Sequence, residues 1–155
     1  MPREIRYDDI EALGKEVSVD FGEWGETFEV TQELIDDFAE LTDDHQWIHV
    51  DRERARTGPY GATIAHGLLI LALGPRLRSP GMFEVVGHGS TLNYGSDGVR
   101  FLEPVPAGAK IRSHSRVADV REHPRGTRIT SEIAVHVVER QRPSMVLRAI
   151  TLHTP

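Results

Sequence analysis

The chain has 155 residues, a net charge of -6, 39% hydrophobic and 27% charged residues, and no cysteine. That length suits one domain, 1–155, able to bury a real core, and the composition excludes disordered and fibrous classes. The absence of cysteine excludes disulfides and thiolate chemistry and fits a cytoplasmic home.

The opening residues Met1 to Asp9 have no apolar centre and do not read as a secretory signal. The longest apolar run, Leu68 to Leu73, is far shorter than the roughly 20 residues a membrane span needs. Charge is uneven: residues 1–60 carry 17 acidic and 6 basic side chains, residues 61–155 carry 7 and 12. The later arginines fall singly along strand-like segments without interleaved aromatics, which reads as solvated strand faces and not as a nucleic-acid surface. A few of them could instead grip the phosphates of a large anionic cofactor.

Residues 1–14 read as a polar lead-in. From Glu16 to Val30, Val17, Val19 and Phe21 alternate with polar residues, which predicts a strand with a turn at Gly22–Gly25. Thr31 is a candidate cap for an amphipathic helix over 32–42, with Leu34, Ile35, Phe38, Ala39 and Leu41 at helical spacing. Thr42-Asp43-Asp44 stops it. Residues 44–50 read as a compact turn with Trp47 and Ile48 packed inward. Asp51 can cap a short helix through Arg56, which Gly58-Pro59 breaks. The run from Gly67 to Leu77 is apolar on every side, so a helix there should be surrounded on every side.

Beyond it, strands are expected near 83–95, 98–103, 109–121, 127–139 and 145–153. Turns are expected at Gly95–Gly98, Pro104–Gly108, His123–Gly126 and Gln141–Pro143. Successive strands with short turns imply an antiparallel meander curved around the 67–77 helix, an α+β architecture.

Asp44 and His49 are the chemical centre. Five positions along a helix turn through about 500°, and in an extended strand they span about 16 Å. Only a compact turn lets a carboxylate and an imidazole meet at one water, where an imidazole can give and take a proton near neutrality. The plainer alternative is that Asp44 caps a helix or pairs with Arg52 while His49 is an ordinary loop histidine. Gly67 would open a helix with a free N–H, able to stabilise a carbonyl oxygen that gains charge, or would simply allow close packing. His66 could bond to backbone or line the pocket. A metal reading uses His45 and His49 with Asp44, Asp51 and His66, but that i, i+4 pair chelates only on a helix, so no metal is expected. Gly-rich phosphate loops and Gly-x-Ser-x-Gly are absent from the sequence.

Three pieces carry a resemblance: Asp44-His45-Gln46-Trp47-Ile48-His49-Val50-Asp51, Thr63-Ile64-Ala65-His66-Gly67, and Val99-Arg100-Phe101-Leu102-Glu103-Pro104-Val105. In order and spacing the chain resembles the MaoC-like dehydratases, the (R)-specific enoyl-thioester hydratases, and among them the NodN-like subgroup. The resemblance implies a hot-dog fold, a homodimer, and reversible hydration of trans-2-enoyl thioesters to (3R)-3-hydroxyacyl thioesters. It implies that Asp44 and His49 hold the catalytic water, that Gly67 forms the oxyanion hole, and that the acyl chain lies in an apolar tunnel. Gln46, His66 and Asn93 are expected to contact substrate, which itself carries coenzyme A or phosphopantetheine, so no separate cofactor is implied.

Gln46 and Trp47 stand where the commoner motif has asparagine and proline, and Gly74-Pro75 stands where some members place a serine near the site. A hot-dog thioesterase and a non-catalytic acyl-thioester binding module are the competing expectations.

Overall fold

The computed structural model, which describes residues 1–81 and 83–155, begins with a strand where a lead-in was expected. β1 (Arg3–Arg6) pairs in parallel with residues Phe83–Val86 and buries Ile5. α1 (Ile10–Gly14) follows, its first turn capped by the Asp9 carboxylate, which accepts from the Ala12 N–H at 2.9 Å.

The strand expected over Glu16–Val30 shrinks to β2 (Phe28–Val30). Upstream of it, Val17 makes one bridge to Val117, and the N–H groups of Ser18, Gly22 and Gly25 donate to the carbonyls of Val117, Ser115 and Ser113. Side chains replace the ladder. Trp24 stacks on His114 at 3.9 Å and Phe21 at 4.5 Å, while the Arg112 guanidinium covers Trp24 at 4.2 Å. Val19 is left in solvent, so the alternation that predicted a strand has no second layer to bury it.

α2 (Gln32–Thr42) forms as its pattern dictates: the Thr31 hydroxyl accepts from the Leu34 N–H at 3.1 Å, and Ile35 and Ala39 are buried. It ends at Asp43 in the left-handed region, φ 56°, a conformation Asp tolerates better than most residues. The turn expected at 44–50 closes as a single helical turn, α3 (Trp47–Val50). In α4 (Arg52–Arg56), the Asp51 carboxylate accepts from the Arg54 N–H at 3.0 Å, the expected cap. α5 (Gly67–Ala72) is regular for six residues, then gives way to a 3-10 turn over Gly74–Leu77. Pro75 is the cause: it has no N–H to give and disfavours helical backbone at Gly74. Leu69, Ile70 and Leu77 are buried but Leu68 is 61% exposed, so this chain alone does not surround the helix.

β3 (Phe83–Val86) completes the pair with β1, and β4 (Ser90–Phe101) is continuous. The turn expected at Gly95–Gly98 is instead two register shifts against the neighbouring strand. The unpaired residues are Tyr94 and Asp97, each followed by a glycine whose backbone freedom lets the strand bulge without reversing the chain. β5 (Ala109–His123), β6 (Gly126–Val137) and β7 (Met145–Thr154) form a true meander. The five-stranded sheet runs β2-β5-β6-β7-β4, all antiparallel, so β4 joins β7 and not β5 as a simple meander would require.

The sheet curls over a core of Val30, Ile111, Val135 and Met145 packed with Leu69, Ile70 and Leu77, and Ile35 of α2 shares the cover with α5. Several arginines of the second half pair on the sheet: Glu132 accepts from Arg116 at 2.8 Å and from Arg148 at 2.6 Å. Among the described residues, no helix is long and apolar enough to cross a membrane.

Candidate active site

Asp43 sets the site in motion. Its left-handed turn sends the chain back across α2, and the N–H groups of Asp43 and Asp44 both donate to the Ala39 carbonyl. Asp44 is then exposed, while α3 carries His49 inward to 6% exposure. The His49 Nδ1–H donates to the Ile64 carbonyl at 2.7 Å, and the Ile64 N–H donates to the Ile48 carbonyl at 2.9 Å. Because a carbonyl can only accept, Nδ1 carries the hydrogen and Nε2 keeps its lone pair. Burial pushes the His49 pKa below the ordinary histidine value and His66 lowers it further, against the opposing pull of the Ile64 bond and of Asp44. His49 is therefore a neutral base near pH 7.

Behind it lies a support that no motif announced. Gln32 Nε2 donates to the His49 carbonyl at 2.8 Å and to the Asp36 carboxylate at 2.8 Å, and its Oε1 accepts from the Thr63 hydroxyl. In sequence Gln32 is simply a residue of the first helical turn, and nothing in its neighbours points to position 49.

An Asp44 carboxylate oxygen, a His49 ring nitrogen and a His66 ring nitrogen all lie within 4.8 Å of one another. Two hydrogen bonds of about 2.8 Å meeting at a near-tetrahedral oxygen span roughly 4.6 Å, so this separation is on the scale that a shared water bridges. The same three donors could in principle hold a divalent ion. His49 and His66, however, stack at 3.8 Å with planes 22° apart. Near-parallel rings set their lone pairs side by side, and an ion shared by both would sit out of each ring plane. His45, the other half of the suspected chelating pair, turns away to Glu40 at 2.7 Å and Asp43 at 3.4 Å, and these acids raise its pKa.

Gly67 follows directly, at the first position of α5. Among the described residues no acceptor meets its N–H. A six-residue helix has little dipole to add, so the amide hydrogen itself is the useful feature. A Cβ at this position would meet the Phe101 ring at 3.0 Å, so the close-packing reason for glycine holds as well. Gly67, His49, Ile64, Ile70, Phe101 and Val105 help line a cavity of about 320 Å³.

Other expected contacts lie elsewhere. Asn93 is exposed on β4, opposite Thr151, outside that cavity lining. Gln46 is exposed and contributes its carbonyl, which accepts from the His49 N–H at 2.9 Å. Trp47 is not among the residues lining that cavity: it is half-buried, lying against Gly58 and under the Arg54 guanidinium at 4.2 Å.

Residues 22–139 match the sequence profile of the MaoC-like domain. The chain belongs to the MaoC-like family. The 3-hydroxyacyl-thioester dehydratase Z of Mycobacterium tuberculosis is 45% identical over 122 residues, covering 78% of this chain and 80% of that protein. Nodulation protein N of Rhizobium leguminosarum is 38% identical over 125 residues, covering 79% and 78%. The (R)-hydratase of A. caviae involved in PHA biosynthesis superposes with a TM-score of 0.69 at 20% identity, over 89% of this chain and 98% of that one. The curled antiparallel sheet around α5 is the MaoC hot-dog fold.

Proposed function

We propose that this MaoC-like protein adds water reversibly across the double bond of trans-2-enoyl thioesters, giving (3R)-3-hydroxyacyl thioesters on coenzyme A or a carrier protein. The observation that carries the reading is the neutral, buried His49, its Nδ1–H committed to Ile64, within 4.8 Å of the Asp44 carboxylate. Asp44 and His49 hold the water between them. As its oxygen bonds to C3, the pair takes one proton from it and C2 receives one on the same face. Negative charge reaches the thioester oxygen, where the Gly67 N–H is available to donate. The cavity beside them takes the acyl chain. Names of relatives at 45% and 38% identity support a dehydratase or nodulation-related role in the same family.

In this reading the working unit is a homodimer. It is supported by Leu68, Phe101 and Leu102, apolar residues at and beside the cavity rim that are 61%, 46% and 38% exposed.

Crotonyl-CoA is the first substrate to try. Wild-type protein should consume the enoyl absorbance, with Asp44→Asn and His49→Ala each slower by about 10²–10⁴-fold. Equal rates in wild type and both variants would overturn the reading. Release of free thiol would instead identify a thioesterase, since hydration leaves the thioester whole.

A further inference from the structure

His66 was expected to bond to backbone or to line the pocket and touch substrate, and its surroundings display the backbone bond. It is 3% exposed and is not among the residues lining the cavity beside His49. Its Nε2–H donates to the backbone carbonyl of Asp44 at 2.9 Å. One face stacks on His49 at 3.8 Å, and Phe38 of α2 meets the ring edge-on at 5.0 Å.

The other bonds of the 43–46 segment are short-range. Asp44 N–H goes back to Ala39, Gln46 N–H reaches the Asp44 carboxylate at 3.4 Å, and His45 pairs with Glu40 and Asp43. Among the described residues, His66 alone ties this exposed segment to the mouth of α5. A tie at that point matters for proton transfer, because a displacement of about 1 Å can cost roughly 10²-fold in rate.

We propose that His66 is a positioning residue: its Nε2–H bond fixes the Asp44 carbonyl, and its ring fixes the plane of His49, so that both groups address one point. The proposal rests on the hydratase reading and deepens it. In this role His66 acts through the two groups that hold the water, locking them as packing and outer hydrogen bonds lock other catalytic side chains. Its own Nδ1 is buried without a partner, so neither ring nitrogen is spent on a residue of the cavity wall.

Two variants separate the bond from the ring. His66→Phe keeps a flat ring and loses the donor; His66→Gln keeps a donor and loses the ring. With crotonyl-CoA, kcat should fall about tenfold or more in each variant while KM stays within about twofold, the signature of lost transition-state geometry. In an Asp44→Asn background, His66→Phe should cost little further, because the bond acts through Asp44. Amide hydrogen exchange at residues 44–46, which needs no turnover, should speed up in His66→Phe.

An unchanged kcat, a raised KM at unchanged kcat, or the same fold-loss in the Asp44→Asn background would overturn the proposal. So would unchanged exchange at residues 44–46. A wild-type protein inert toward crotonyl-CoA would refute the hydratase reading, while the exchange measurement would still decide on His66. If His66→Phe fails to fold, the kcat and KM of His66→Gln decide it.

Discussion

Replacing Gln32 by alanine should destabilise the fold through the carbonyl that carries His49. The amide makes two donations at 2.8 Å, to Asp36 and to the His49 carbonyl, and accepts from Thr63. Asp36 is only half-buried, so water can replace that bond at small cost. The other two do not have that option, since Thr63 is 4% exposed and the His49 ring beside that carbonyl is buried. Losing a bond and stranding its partner costs about 1–1.5 kcal/mol in each case, so about 2–3 kcal/mol in total. Alanine suits a first helical position, so propensity offsets little of this.

Urea unfolding at pH 7.5 measures the loss directly, and a parallel thermal melt should shift down by about 5–10 °C for a chain of this size. Gln32→Glu should be at least as damaging, because a carboxylate cannot donate to the His49 carbonyl and faces Asp36 with like charge. Coupling should appear in a double-mutant cycle with Thr63→Val. Stability of Gln32→Ala within about 0.5 kcal/mol of wild type would refute the argument, since such values are what an unimportant surface change gives.

Gly67→Pro and Gly67→Ala place the same Cβ against Phe101, but only proline removes the N–H. His66 already has the extended backbone (φ -58°, ψ 136°) that a following proline requires. Proline should therefore lower kcat on crotonyl-CoA about 10²–10³-fold below alanine, and equal rates would remove the amide from the mechanism. His153 supplies a pH dependence of stability. Burial, with His88 beside it, pushes its pKa from 6.5 down to about 4. The unfolded chain takes up that proton first, so the contribution is whole above pH 6.5 and drains away as pH falls toward 4. The loss amounts to about 3 kcal/mol. Urea midpoints measured across that range should fall less steeply in His153→Gln than in wild type. Finally, Leu68→Asp should shift the protein toward monomer in sedimentation velocity while leaving its circular dichroism unchanged.

Local chemistry was readable where one short stretch holds the whole cause. Thr31 and Asp51 cap the helices they precede because a cap needs only three residues. Asp44 comes within 4.8 Å of His49, and Gly67 shares one cavity with His49, because a helix stop, a compact turn and an apolar run follow in succession. The rest depended on partners distant in sequence. The strand at Arg3–Arg6 exists because Phe83–Val86 offers an edge, and its own residues carry no alternation. Gly95 and Gly98 look identical in sequence whether they turn the chain or bulge it, and the ladder to β7 decides. Gln32 was opaque for the same reason, and for His66 the sequence offered a backbone bond without naming its partner. Each acts on a backbone carbonyl, of His49 and Asp44, and a carbonyl leaves no trace in residue type.

β4 ends one side of the five-stranded sheet, and its two register shifts bend that border out of line. A straight foreign strand laid along it would meet hydrogen-bonding groups in phase for only a few residues before falling out of step. Open-ended stacking of exposed strands, the route to fibrils, needs a long and even template. The glycine-rich interruption that disguises β4 in the sequence thus also guards the margin of the sheet against indiscriminate growth.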